Sequence, residues 1–221
     1  AQTNNVRNLV ALQDLAEANP DKVGLDDLPA GFFTTSNPNA FPDNSVNRLN
    51  PEDLNSGLLT PSIRDIATTT DGFGVLSDAV QEGVDYAVLE SARKLNSNEY
   101  NLHPQLGYIS INQKLGNDEV LAVAYQFTLG GQTYQVGEFA GDGIPSTSVS
   151  GTTGQSSQQV TNNSLVVKLL RSPLTQVDQP VWDLMMKNIY NIGAYQLDRD
   201  GFVFNLLYAD PSPINYISPV D

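Results

Sequence analysis

The chain has 221 residues and is 40% hydrophobic, so it is long enough to bury the core of one large or two small domains. Its 25 acidic and 11 basic residues give a net charge of −14, which argues against nucleic acids and anionic membranes as partners because both are negatively charged. It contains no cysteine, which excludes disulfides, thiolate nucleophiles and cysteine-based metal sites. Its first residues lack the pattern of a signal peptide, and no run approaches the roughly 18 apolar residues of a membrane-spanning helix.

The first part of the chain predicts one helix and a long coil. Apolar residues at helical spacing predict a short amphipathic helix within residues 5–19. Residues 21–57 are dense in Asn, Asp and Pro, which favour turns, and they predict an ordered coil. Phe32, Phe33 and Phe41 are its predicted anchors to a core.

The next part predicts a short helix and two strands. Thr60 as a capping residue and Pro61 at the first helical position predict a helix that ends by residue 70. Alternating apolar side chains predict strands at residues 84–91 and 106–112.

The clearest element is a β-hairpin over residues 119–139. If Gly130 and Gly131 form a two-residue turn, Leu129 lies opposite Gln132, and every later pair follows from the period of two. One face is then apolar and the other polar, which specifies the register. The predicted pairs are Phe127 with Tyr134, Tyr125 with Val136, Thr128 with Thr133, Gln126 with Gln135, and Ala124 with Gly137.

A polar stretch follows the hairpin. In residues 144–164, 17 of 21 residues are Ser, Thr, Gly, Gln or Asn and none is charged, so the segment cannot form a core of its own. It predicts a flexible, structureless loop. It ends in Asn162-Asn163-Ser164, which matches the sequence pattern of an N-glycosylation acceptor. In a sequence so rich in Asn and Ser, we interpret this match as a coincidence.

The C-terminal part predicts a strand, a helix and a second hairpin. Residues 165–170 predict a buried strand, and residues 194–208 predict a hairpin that turns at residues 198–201. Residues 211–221 are Pro-rich and resemble a linker. Between Pro180 and Gly193, a helix is predicted to pack one apolar stripe into the core. That stripe consists of Trp182, Met185, Met186, Ile189 and Tyr190.

A search for catalytic chemistry finds no complete motif. The single histidine, His103, has no second histidine or cysteine with which to share a metal, and a serine hydrolase would need it as sole base. Asp198, Asp200 and Gly201 resemble part of a calcium loop, but the third oxygen ligand and the distal glutamate are missing. There is no glycine-rich phosphate-binding motif, and no carboxylate pair stands out for glycoside hydrolysis. We therefore predict no catalytic, cofactor-binding or metal-binding residues.

Five stretches together carry a combination of residues found in one family. They are FPDNSVNRLNP (41–51), IRDI (63–66), ARKLNSNEYNLHPQLGYISINQKL (92–115), EVLAVAYQFTLGGQTYQVGEFAGDG (119–143) and VWDLMMKNIYNIGAYQLDRDGFVF (181–204). They resemble the SprA/Sov family of very large cell-surface proteins of gliding bacteria and their relatives. The resemblance covers most of the chain outside the polar loop.

The resemblance implies one soluble module of the outer-membrane translocon of the type IX secretion system, which passes folded cargo to the cell surface and supports gliding. The module would pack against the barrel of the translocon, neighbouring modules, partner subunits or secreted cargo, and the membrane side that it faces stays open. The family carries no catalytic residues, so we expect no enzyme activity.

The predicted elements make an α+β fold in which antiparallel hairpins pack with a few short helices and long ordered coil, as a single module over residues 1–221. The alternative function is a calcium- or carbohydrate-binding cell-surface module that uses the acidic turns and the Asn/Asp-rich coil. Stabilisation by calcium would favour that alternative.

Overall fold

A computed structural model describes residues 6–13, 41–55, 58–150, 159–174, 177, 179–186, 196, 198 and 200–203. The chain divides into two units, residues 1–186 and 187–221. The strands of the first unit are β1 (Val6–Leu12), β2 (Tyr86–Arg93), β3 (Tyr100–His103), β4 (Tyr108–Ile111), β5 (Leu121–Val123), β6 (Tyr125–Leu129), β7 (Gln132–Val136), β8 (Thr147–Ser150), β9 (Gln159–Asn162) and β10 (Leu165–Arg171). Its helices are α1 (Pro180–Leu184) and four short 3-10 segments, Asn44–Val46, Pro61–Arg64, Ile66–Thr68 and Asp71–Leu76.

The largest sheet has four strands in the order β2-β1-β10-β5. β1 is antiparallel to β2 and parallel to β10, and β10 is antiparallel to β5. The pairs β3-β4, β6-β7 and β8-β9 form three two-stranded antiparallel sheets. The described residues are thus broadly α+β and mainly β, as predicted in outline, but the parallel pair at the centre of the main sheet was not predicted.

The prediction of a helix within residues 5–19 was wrong where the structure tests it, because β1 occupies Val6–Leu12. Val10, Ala11 and Leu12 are each at most 1% exposed. A continuous apolar run is typical of a strand that is covered on both faces, and it satisfies helical spacing equally well. Residues 6–12 form a strand and not a helix because they pair with β2 on one side and with β10 on the other. The remainder of the predicted helix lies outside the described residues.

Alternate side chains of the main sheet enter two separate cores, as the period of a strand requires. The first core contains Val10, Leu12, Tyr86 and Val166, covered by Leu49, Leu59, Ile63, Phe73, Leu76 and Val80 from the 3-10 segments and their connections. The second core contains Ala11, Ala87, Leu165, Val167 and Leu169, covered by Val181 of α1.

The predicted hairpin is confirmed in its five pairs between residues 125–129 and 132–136, whereas the predicted pair of Ala124 with Gly137 lies beyond the end of the ladder. β6 and β7 align Leu129 with Gln132, and the pairs continue to Tyr125 opposite Val136. Gly130 and Gly131 have φ angles of 61° and 81°, the left-handed region that a two-residue turn of this kind needs. Val136 is fully buried in the first core, which anchors the open end of the hairpin.

The predicted structureless loop at residues 144–164 contains regular structure at both ends. β8 and β9 pair in antiparallel register from Thr147 opposite Asn162 to Ser150 opposite Gln159. The prediction of no structure was therefore wrong for these residues, because backbone pairing does not require apolar side chains. The predicted flexibility of the segment stays a prediction.

The prediction of a long helix after Pro180 was wrong in extent. α1 ends at Leu184, and Met185 is extended with φ −76° and ψ 132°. Met186 is 52% exposed rather than in the core, whereas Pro180 and Val181 are buried. A helix this short depends on tertiary packing, and only its first turn contacts the second core. Residues 187–195 lie outside the described residues.

The helix predicted after Thr60 forms as two 3-10 turns, Pro61–Arg64 and Ile66–Thr68. Thr60 does not cap it with its side chain, contrary to prediction. Asp65 instead caps the second turn by accepting the N–H of Ala67 at 3.0 Å.

Three predicted strands are confirmed with shifted bounds, as β2, β4 and β10. β3 was not predicted. The prediction that Phe41 anchors its segment to a core was wrong, because Phe41 is 47% exposed and belongs to neither core. Its ring lies edge-on against Tyr134, with 5.5 Å between the ring centroids. Phe32, Phe33 and the tail at residues 211–221 lie outside the described residues, as do most residues of the second predicted hairpin. In the described part of that hairpin, Phe202 and Val203 are exposed and are not in a strand.

Candidate interaction surface

Arg64 and Glu138 form a buried ion pair with several further hydrogen bonds. The guanidinium contacts both carboxylate oxygens: Nη1 donates to Oε2, and Nη2 donates to Oε1 at 2.5 Å. The two side chains are 15% and 3% exposed. This two-pronged geometry is the one in which an arginine binds a carboxylate most strongly.

The same pair joins three parts of the chain. Arg64 also donates to the carbonyls of Ser164 and Pro51, at 3.1 Å and 3.2 Å. Glu138 accepts the backbone N–H of Val166 at 2.7 Å. The pair therefore fastens the 3-10 segments and the end of the β6–β7 hairpin to the start of β10. We call Arg64 and Glu138 the clasp.

The clasp lies at the wall of an open cleft of about 470 Å³. Three carboxylates line it, Glu52, Glu138 and Asp142, against the single cation Arg64. Each carboxylate already accepts a hydrogen bond from the chain itself: Glu52 from Asn44, and Asp142 from Gln135. This arrangement organises the fold, and its polar groups are directed at each other.

The outer edge of β7 is capped by two side chains. Asp43 accepts the backbone N–H of Gln135 at 2.9 Å. The amide of Asn44 pairs with both backbone groups of Gly137, at 2.8 Å and 3.1 Å. Burial pushes the pKa of Asp43 upwards, but hydrogen bonds from Ser45 and Gln135 outweigh it, so its pKa lies below the ordinary value. These side chains occupy the positions where a neighbouring strand would bind.

Glu99 organises the base of the β3–β4 hairpin. Its carboxylate accepts hydrogen bonds from the Arg93 guanidinium at 2.7 Å, the Asn96 N–H at 2.7 Å and the Gln113 amide at 3.0 Å. The hydrogen bond from Arg93 is the largest reason that the pKa of Glu99 falls from its ordinary value of 4.5 to about 2.

Replacing Arg93 with Gln is expected to raise the pKa of Glu99 from about 2 towards 4.5, and the hydrogen bonds from Asn96 keep it below that value. Because the folded pKa lies below the unfolded one, this carboxylate stabilises the protein above pH 4.5, and its contribution is lost as the pH falls towards 2. Carboxyl NMR titration measures the change. The control is Lys94→Gln, which removes a neighbouring exposed cation and should leave the pKa at about 2. An equal shift in both variants would contradict the assignment to Arg93.

The sequence singled out no catalytic or metal-binding residue, and the structure places the nearest candidates as follows. His103 stacks on Tyr108 with ring centroids 4.3 Å apart, directly across the β3–β4 pair. In the second unit, Asp198 accepts the N–H of Asp200 at 3.2 Å in a turn that continues through Gly201. Among the described residues, no group of three or more acidic or histidine side chains is placed to hold a metal ion.

Sequence reasoning missed Asp43, Asn44, Arg64 and Glu138. Their partners are separated by 74 to 93 residues along the chain, so no local pattern signals them. The sequence contained one indication: Gly137 and Glu138 break the alternating pattern of the hairpin strand at the point where its pairing ends. None of the helices in the described ranges is both long and apolar enough to cross a membrane.

Comparison with known proteins agrees with the resemblance of the sequence. The family model SprA_N, described as "motility related/secretion protein", matches residues 1–126, which is more than half of the chain. That range includes β1 to β5 and the 3-10 segments that build the first core. No curated protein matches the chain. The chain therefore belongs to the SprA/Sov family of motility-related and secretion proteins.

Proposed function

We propose that the chain is a non-enzymatic structural module of the outer-membrane translocon that carries out type IX secretion and supports gliding. It packs against the barrel of the translocon, neighbouring modules or partner subunits. The match of the family model over residues 1–126 carries the proposal.

The arrangement of the polar groups supports a structural role. Arg64, Glu138, Asp43 and Asn44 all bond to backbone or side chains of other segments, and each joins parts of the chain that are far apart in sequence. Groups held in this way set the position of segments and are not available to a substrate. A module whose segments are held together in this way fits a role in assembly.

The test uses the whole parent protein in the bacterium that encodes it. Gly72→Ala is introduced to disrupt this module, because a methyl group there would lie 2.4 Å from the Cα of Ile63. We expect this variant to reduce secretion of cargo and colony spreading, measured against the amount of parent protein in the outer membrane.

Gly141→Ala is the matched control, since a methyl group at Gly141 has no neighbour within 4 Å. It should secrete cargo and spread as the wild type does. Normal secretion and spreading in the Gly72→Ala strain, or in a strain from which residues 1–221 are deleted in frame, would refute the proposed function.

A further inference from the structure

β5 and β6 follow each other directly over residues 121–129, and Ala124 between them is the one residue of this segment that belongs to neither strand. β5 pairs with β10, where Val123 lies opposite Lys168. β6 pairs with β7, where Tyr125 lies opposite Val136. The segment therefore has two successive partners along its length.

Both partners lie along the same side of this segment. Where β7 ends, the backbone N–H of Glu138 donates to the Val166 carbonyl of β10 at 2.9 Å. A methyl group at Gly137 would lie 3.2 Å from both Ala124 Cβ and Val167 Cα, so three segments of the chain approach each other closely at this point. β7 and β10 thus form one continuous flank, and the opposite flank of residues 121–129 is one continuous strand edge. We call it the open edge.

The hydrogen bonds of β7 show which groups face the open edge. Gln135 and Gly137 direct their N–H groups away from β6, to Asp43 and Asn44. In an antiparallel pair, the backbone N–H groups of two opposite residues either both point towards the partner strand or both point away from it. Gln126 and Ala124 therefore direct their N–H groups away from β7. Thr128, two residues further, does the same. None of these three has a backbone hydrogen bond on the open edge to any residue that the structure describes.

The chemistry of the open edge differs from that of a protected one. Proteins protect exposed edges with charged residues, proline or covering groups. The segment LAVAYQFTL contains neither a charged residue nor a proline, in a chain that is 16% charged and has 13 prolines. The edge of β7, in contrast, is covered by Asp43 and Asn44. Among the described residues, the same hairpin thus has one edge covered by side chains and one edge that no strand or capping side chain covers.

We propose that the open edge binds an extended strand of a partner polypeptide in antiparallel pairing, which continues the sheet by backbone hydrogen bonds. The side chains set the pattern of that partner. Residues opposite Ala124, Gln126 and Thr128 share their polar face, and the intervening residues of the partner lie beside Tyr125 and Phe127 on the apolar face. The partner strand therefore carries polar and apolar residues in alternation. A second copy of the chain is disfavoured as the occupant, because each copy carries a net charge of −14.

The inference deepens the proposed function and rests on it for the source of the strand, a neighbouring part of the translocon. Binding itself is tested with the full chain and a capped peptide of alternating threonine and valine. We expect saturating peptide to slow hydrogen exchange at the amides of Gln126 and Thr128 by at least about tenfold.

Backbone methylation of the peptide gives the sharpest control. Its threonines would lie opposite Ala124, Gln126 and Thr128 and make the hydrogen bonds, so N-methylation of the threonine amides should abolish the protection. N-methylation of the valine amides should preserve it, because those amides face away from the chain. Equal effects of the two peptides would overturn the proposal.

Two proline variants test the edge from the side of the protein. Thr128 and Thr133 lie directly opposite each other, on the open edge and on the β7 edge respectively. Proline removes an outward N–H at either position and spares the β6–β7 hydrogen bonds. Thr128→Pro should abolish peptide binding and Thr133→Pro should retain it; equal loss in both would overturn the proposal.

Two further outcomes would also refute it: no protection of Gln126 and Thr128 by the unmodified peptide, or protection without peptide that accompanies dimerisation in sedimentation. The second would assign the edge to another copy of the chain. Loss of secretion in the Gly72→Ala strain together with no peptide binding would remove this inference and leave the proposed function standing.

Discussion

Glu138→Gln is expected to lower the free energy of unfolding by about 3–5 kcal/mol, the usual effect of removing one member of a buried ion pair. Glu138 is 3% exposed on its side chain, and its two oxygens serve Arg64 and the N–H of Val166. Glutamine retains a single acceptor for both donors and turns its own N–H groups towards the guanidinium. Arg64 is then left as a largely buried charge without a directly bonded carboxylate.

Denaturant unfolding of the two proteins at neutral pH measures the effect. Glu52→Gln is the control, because Glu52 lines the same cleft but is exposed, and a glutamine oxygen can still accept the hydrogen bond from Asn44. We expect that variant to lie within about 0.5 kcal/mol of the wild type. A loss below about 1 kcal/mol for Glu138→Gln would show that the clasp does not hold the segments together.

Gly72→Ala should be destabilising by about 3 kcal/mol or more, at the upper end of the range for overpacked sites. The added methyl group would lie 2.4 Å from both the N and the Cα of Ile63. These are backbone atoms, so no side-chain rotation relieves the contact, and Ile63 itself is fully buried in the first core. The 3-10 segments that cover that core must therefore move apart.

Thermal and denaturant unfolding compare this variant with Gly141→Ala. Gly141 has open space around its Cα and no left-handed backbone angle, so alanine there should be neutral or stabilise by a few tenths of a kcal/mol. A Gly72→Ala protein as stable as the control would mean that the 3-10 segments do not pack against each other as closely as described.

The elements that the sequence predicted correctly are those whose signal is local. The β6–β7 register follows from one glycine turn and the alternation of faces, and both lie within residues 119–139. β10 follows from an apolar run that includes Lys168, whose ammonium group is nonetheless buried and donates to the Gln13 carbonyl. Fold class in outline and family were also accessible, because they depend on composition and on motifs spread along the chain.

The elements that the sequence mispredicted are those whose conformation depends on distant partners. The apolar residues of β1 satisfy a helical and a strand pattern alike, and insertion between β2 and β10 selects the strand. The stripe from Trp182 to Tyr190 predicts a long helix, yet the described helix ends at Leu184, and its buried residues are Pro180 and Val181. Spacing along a chain cannot show which partner will cover a given face.

The sequence by itself determined the acidic character of the protein, its lack of cysteine chemistry, its family and the hairpin at its centre, because these depend on residue types and short-range periodicity. Only the tertiary structure decided that Arg64 meets Glu138, that Asp43 and Asn44 cover one edge of the hairpin, and that no described strand pairs with the other edge, which continues from β6 into β5. Hydrogen bonds and strand pairing across 74 or more residues depend on where the chain returns, and local side-chain patterns do not encode that path.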